Sequence, residues 1–214
     1  MIQQTLELGR RIELYSMDQH CHNISLALYC RQIGQAQHVL VHTYSLVDGA
    51  RQRVNDVTNA LMVRTGLELV NDGEGWLRFP CDGFHQRALT RTFLDVCKFV
   101  LDDGLEAEPL KRIDKKAGCH LIAKNLGQGV YRFDAEESSE AGQKRAEAMT
   151  RGFVKLCGME PIAGHGNQAA FSCGVSHDNL IGSLMFRAQN LRAVMREEAM
   201  NASRGVLSSP SQQE

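Results

Sequence analysis

Two short stretches carry the most reactive side chains of the chain in a matched pattern. They are Phe79-Pro80-Cys81-Asp82-Gly83-Phe84-His85 and Phe171-Ser172-Cys173-Gly174-Val175-Ser176-His177. Each ends an extended run in Phe-x-Cys and reaches a His, four residues after the Cys, where a helix is expected to open. A thiol facing a helix N-terminus sits at the positive end of the dipole, which lowers its pKa and favours the thiolate. A His in the first turn can act on that thiolate as a base or join it as a metal ligand. Cys81, His85, Cys173 and His177 are therefore the candidate catalytic residues, with Cys as nucleophile or ligand and His as base or ligand. The alternative is structural: Phe and Cys close a buried strand and the His meets solvent.

Three further groups invite chemistry. Asp18-Gln19-His20-Cys21-His22 contains H-x-H, and an extended backbone would point His20 and His22 the same way, as a candidate two-His metal site. The stretch resembles the first-strand metal motif of amidohydrolase barrels and the opening of PHP-type phosphoesterases. The resemblance covers five residues and implies a metal-dependent hydrolase centred on Asp18, His20 and His22; such barrels are larger, with a different element order. Cys21-His22 and Cys119-His120 each begin a hairpin, so each half of the chain holds two Cys and two His, the ligand set of a structural zinc site. Finally, His165 and Asn167 in a glycine loop could complete a Cys-His-Asn hydrolase with Cys21 or Cys173. A divalent metal such as zinc is the one cofactor these residues suggest, and a small-molecule ligand the partner.

The elements that must position these side chains read as α+β. Strands are expected over Arg11–Met17, Asn23–Cys30, His38–Tyr44 and Trp76–Phe79. A first helix follows a Ser45-Leu46-Val47-Asp48 capping box and ends at Gly66, and a second runs from about Phe84 to Val100. The first half is thus βββαβα. After a polar linker from Leu101 to Lys116, with a short strand at Leu110–Ile113, the order recurs. A hairpin over Cys119–Lys124 and Gly129–Phe133 leads to a helix over Glu140–Cys157 and a strand over Gln168–Ser172. A long helix capped by Ser176 then reaches about Ala202.

A shift of 92 residues pairs Arg53 with Arg145, Thr58 with Thr150, Gly66 with Gly158, Glu68 with Glu160, Phe79 with Phe171, Cys81 with Cys173 and His85 with His177. Unrelated sequence of ordinary composition would give roughly three identities over that span. The expectation is an internal duplication of two βββαβα halves, 1–103 and 104–207, related by a pseudo-twofold, with helices on mixed or antiparallel sheets and a disordered tail over 208–214. This element order resembles that of GHMP-type kinases and, duplicated, imidazoleglycerol-phosphate dehydratase. The dehydratase's paired-His motifs and the kinases' Gly-rich loop are not seen in this sequence, so the resemblance implies a fold and no activity.

Composition bounds the function. The 214 residues carry a net charge of −1, which argues against a nucleic-acid partner held by bulk phosphate attraction. No apolar run suggests a membrane span or export signal, and seven cysteines without a CxxC pair fit reduced thiols in a cytoplasm. The methionines of the last helix are compatible with a homodimer interface. Three functions follow: a small-molecule enzyme built on the Cys-x-x-x-His pairs, a non-catalytic interaction or assembly module in which they are structural, or the metal-dependent hydrolase.

Overall fold

The structure, a computed structural model, describes residues 9–19, 22–71, 73–101, 121–136 and 138–185. Strands β1 (Arg10–Gln19), β2 (His22–Ile33) and β3 (Ala36–Thr43) form consecutive antiparallel hairpins. Helix α1 (Ala50–Thr65) follows, then the short strands β4 (Glu68–Leu69) and β5 (Leu77–Arg78), and helix α2 (Gln86–Leu101). The second half gives β6 (Leu121–Gly127), β7 (Val130–Ala135), α3 (Glu140–Cys157), β8 (Met159–Pro161) and β9 (Gln168–Phe171). A fourth helix, α4, starts at 178 and continues to 185, where the described residues end. The sheets run β1-β2-β3-β5-β4 and β6-β7-β9-β8, and every pairing is antiparallel. The chain is therefore α+β with two antiparallel sheets.

Each sheet buries one face under its helices. Leu26, Leu28, Val39, Val41 and Leu77 meet Val57 and Leu61 of α1 and Leu89, Phe93 and Val96 of α2. On the other side Tyr131, Phe133, Ala169 and Phe171 meet Ala146 and Phe153 of α3 and Leu180, Ile181 and Leu184 of α4. The helices also touch across the halves. Arg87 Nη1 of α2 donates to the Lys155 carbonyl near the end of α3, and Ser183 Oγ of α4 donates to the Arg64 carbonyl near the end of α1. Both contacts satisfy carbonyls in the last turn of a helix, which lack an intrahelical donor.

The register repeats with the sequence offset. His38 and Val39 face Arg78 and Leu77, as Val130 and Tyr131 face Ala170 and Ala169. Glu68 and Leu69 face Arg78 and Leu77, as Glu160 and Pro161 face Ala170 and Ala169. Gly66 and Gly158 both end their helices in the left-handed conformation, with φ of 75° and 67°. Glycine carries no Cβ penalty there.

Several expectations change. β4 and β8 add a strand after the first helix of each half to the expected βββαβα order; they are too short for an alternating pattern and form because the glycine cap turns the chain back along the sheet. The Ser45–Asp48 capping box is not used: Ser45 Oγ accepts from the Ser25 amide, and Gly49 occupies the N-cap without a side-chain bond. Ser176 does not cap α4, because its hydroxyl turns to the β6–β7 hairpin, donating to Asn125 Oδ1 and accepting from the Gly129 amide. The linker and its Leu110–Ile113 strand, α4 beyond 185 and the tail over 208–214 lie outside the described residues. Among the described residues no helix is long and apolar enough to cross a membrane.

Candidate metal centre

Both Cys-x-x-x-His stretches join the end of a strand to the start of a helix. β5 and β9 carry the chain to Phe79 and Phe171, which stay buried in their respective cores. The His carbonyls accept the first helical bonds, from Leu89 N to His85 O and from Ile181 N to His177 O. Each His therefore stands at the N-cap position of its helix. The two junctions come from different halves and meet.

Four donor atoms converge, one from each of Cys81, His85, Cys173 and His177, all within 4.8 Å of one another. Cys81 Sγ lies 3.7 Å from His85 Nε2 and 3.5 Å from His177 Nε2. Cys173 Sγ lies 3.7 Å from His85 Nε2 and 3.3 Å from His177 Nε2. The two Nε2 atoms are 3.0 Å apart. A tetrahedral zinc ion with Zn–S about 2.3 Å and Zn–N about 2.0–2.1 Å spaces its ligands at about 3.6 Å for S···N and about 3.3 Å for N···N. These five separations fall close to those edges and the two sulfurs lie within 4.8 Å of each other, so the cluster can hold one metal ion. A donor set of two sulfurs and two imidazole nitrogens, without a carboxylate, suits zinc rather than magnesium or calcium.

Burial is divided between the ligands. His85 and His177 are 7% and 4% exposed, whereas both cysteines are only half-buried. The cysteines line a depression of about 470 Å³ between the two junctions. The imidazoles are walled by phenyl rings. Phe79 meets the His85 and His177 rings edge-on at 5.2 and 5.4 Å, and Phe171 meets each at 4.8 Å. The structural alternative, in which the His meets solvent, is reversed: the histidines are inside and the sulfurs border the depression.

This environment sets the protonation of the metal-free site. Burial pushes the Cys81 thiol up to about 11; the hydrogen bond to the Gly83 backbone opposes this, and Cys173 and Asp82 add to it. Burial and the adjacent His85 ring lower His177 to about 4, against the pull of Asp178. Burial lowers His85 as well, opposed by a hydrogen bond to the Cys157 backbone. Desolvation thus outweighs the helix dipole at Cys81, and the thiolate expected there is not favoured by the protein alone. A bound dication inverts that balance, because a coordinating thiol is deprotonated and neutral imidazole is already the ligand form.

Outer contacts orient the ligands. Nε2 of His85 faces the cluster, leaving Nδ1 for the Cys157 backbone, the kind of second contact that fixes a ligand tautomer. Next to His177, Asp178 accepts from Tyr131 Oη at 2.7 Å and from Asn125 Nδ2 at 2.9 Å. Gly83 lets the halves close, since a Cβ there would lie 3.0 Å from Cys173 Cβ. Sequence reasoning missed Gly83, Tyr131, Asn125 and Asp178. Only Gly83 carried a signal, as a glycine between two ligands.

The other candidates fare differently. His20, Cys21, Cys119 and His120 lie outside the described residues, as do the side chains of Asp18 and His22. The zinc set expected within each half includes residues outside the described ones; among the described residues the donors brought together are drawn from both halves, Cys81 and His85 with Cys173 and His177. Asn167 donates to Asp134 Oδ1 at 3.1 Å and sits before β9, whereas Cys173 follows it, so they occupy opposite ends of that strand. No Cys-His-Asn arrangement forms around Cys173. Comparison of the chain with protein families, curated proteins and solved structures finds no match.

Proposed function

We propose that this protein is a zinc-binding α+β module in which Cys81, His85, Cys173 and His177 hold one structural ion between two copies of a repeated α+β unit. The convergence of four donor atoms, with their S···N and N···N separations close to tetrahedral edges, carries this reading. Four protein ligands fill a zinc sphere and leave no position for substrate or activated water, which separates a structural site from a catalytic one. The cysteines then act as ligands, not nucleophiles, and the module is non-catalytic. The ion joins segments far apart in sequence, so its binding energy becomes folding energy at the contact between the halves.

The units would occupy 1–103 and 104–207, supported by the shared sheet registers, the paired glycine caps and the identities at an offset of 92. An ion near a pseudo-twofold would receive one Cys and one His from each copy. The test is metal content of the purified chain with and without chelator. The expected result is stoichiometric zinc, lost together with thermal stability on chelation and lost in Cys81→Ser and Cys173→Ser alike. A chain that is metal-free, takes up no zinc and ignores chelators would overturn the reading.

A further inference from the structure

We propose that the zinc centre is a modification site for hydroperoxides, at which Cys81 and Cys173 are oxidised to a disulfide with release of the ion. This rests on the zinc reading above and adds a reaction to it. The ligands are unevenly buried. The imidazoles lie behind Phe79 and Phe171, while both sulfurs border the open depression between Pro80–Gly83 and Ser172–Val175. A small hydroperoxide reaching the centre from that depression meets sulfur first. The other described cysteines, Cys30, Cys97 and Cys157, are buried.

Two sulfurs at one ion also supply both partners of a disulfide. They lie within 4.8 Å, and a disulfide needs about 2.05 Å between them. The close packing of Gly83 against Cys173 holds the two junctions in contact beside the sulfurs. Zinc keeps both cysteines as thiolates, the nucleophilic form. Its departure is the consequence of losing two of four ligands, since the two imidazoles left behind do not complete a tetrahedral sphere.

One thiolate sulfur attacks the distal oxygen of ROOH; the O–O bond breaks and RO⁻ takes a proton to leave as ROH. The sulfenic acid formed is attacked by the second thiolate, an S–S bond forms, and hydroxide leaves as water with a second proton. Two thiolates lose two electrons, the hydroperoxide gains them, and Zn²⁺ passes to solvent. Thiol reductant and zinc together restore the site.

The experiment treats the zinc-loaded full chain with hydrogen peroxide, follows released zinc with a chromogenic chelator, and maps cysteines by alkylation and peptide mass. Expected is zinc release in step with a Cys81–Cys173 disulfide, reversed by reductant plus zinc. A Cys30→Ser, Cys97→Ser protein should respond unchanged, which keeps the test independent of ligand variants that may not fold. Retention of zinc at peroxide levels that oxidise a free thiol peptide would overturn the proposal, as would release with a disulfide elsewhere or with overoxidation of the sulfurs. Failure to load zinc at all would instead strike the metal reading.

Discussion

The two junctions deliver the same atoms by different routes. In the first, Pro80 and Asp82 lead to Gly83, and Asp82 has no positive φ. In the second, Gly174 turns at φ 68°, its amide bonded to the Phe171 carbonyl at 3.0 Å. The second junction is also clamped to the β6–β7 hairpin. Gly129 donates to Ser176 Oγ, and a Cβ on Gly129 would press on the Val175 and Gly174 backbone at 3.1–3.2 Å. The first instead leans on the other half, through Gly83 against Cys173. What recurs is Phe, Cys and His; what differs is the loop between them. That is the pattern expected where an ion constrains the donors and the connecting backbone need only deliver them.

The comparison can be broken at the ligands, with the largest effect. Cys81→Ser and Cys173→Ser are each expected to abolish stoichiometric zinc and lower the melting temperature by about 10 °C or more, by equal amounts in calorimetry. A clear inequality would show that one junction holds the metal and the other only approaches it. The loops should respond unequally. Gly83→Ala meets Cys173 Cβ and is expected to cost about 1–3 kcal/mol as overpacking, with weaker zinc binding. Val175→Ala at the matching position should leave zinc affinity within a factor of a few. Equal effects from the pair would remove Gly83 from the account of how the halves close.

Acid separates the loaded and stripped proteins. With the metal removed, His177 titrates near 4 when folded and near its ordinary 6.5 when unfolded, and His85 is lowered too. The unfolded chain then binds more protons between those values. Stability of the stripped protein should therefore fall as pH drops from about 6.5 towards 4 and level off below that. A denaturation series flat across that window would contradict the burial of the two imidazoles. The smallest effect is expected at the polar contacts beside His177. Asp178→Asn weakens the bonds to Tyr131 and Asn125 and should cost about 0.5–1.5 kcal/mol, whereas Gln86→Asn, at the matching place in the first half, should cost less.

Much of this geometry was written locally in the sequence. Gly66 and Gly158 mark helix ends because glycine adopts the left-handed C-cap conformation without a Cβ penalty, and the stripes of α2 and α3 declare their buried faces. Phe79, Cys81 and His85 were visible because they recur at Phe171, Cys173 and His177. Their meeting was not visible. It depends on α2 reaching the end of α3 and α4 reaching the end of α1, contacts between residues far apart in sequence. Nor could spacing say that the His would turn inward, since that follows from the phenyl rings of both halves closing over both imidazoles. Ser45 and Ser176 misled for the complementary reason: each fits a local cap, and each is taken by a partner distant in the chain.

The central claim is that one ion takes a Cys and a His from each half. Zinc X-ray absorption on a chain carrying Cys21→Ser and Cys119→Ser tests it most directly, because those are the cysteines of the competing ligand sets. The account predicts two sulfurs at about 2.3 Å and two nitrogens at about 2.0–2.1 Å, unchanged from the unsubstituted protein. Loss of sulfur ligation in that variant, or a zinc sphere of nitrogen and oxygen alone, would contradict it.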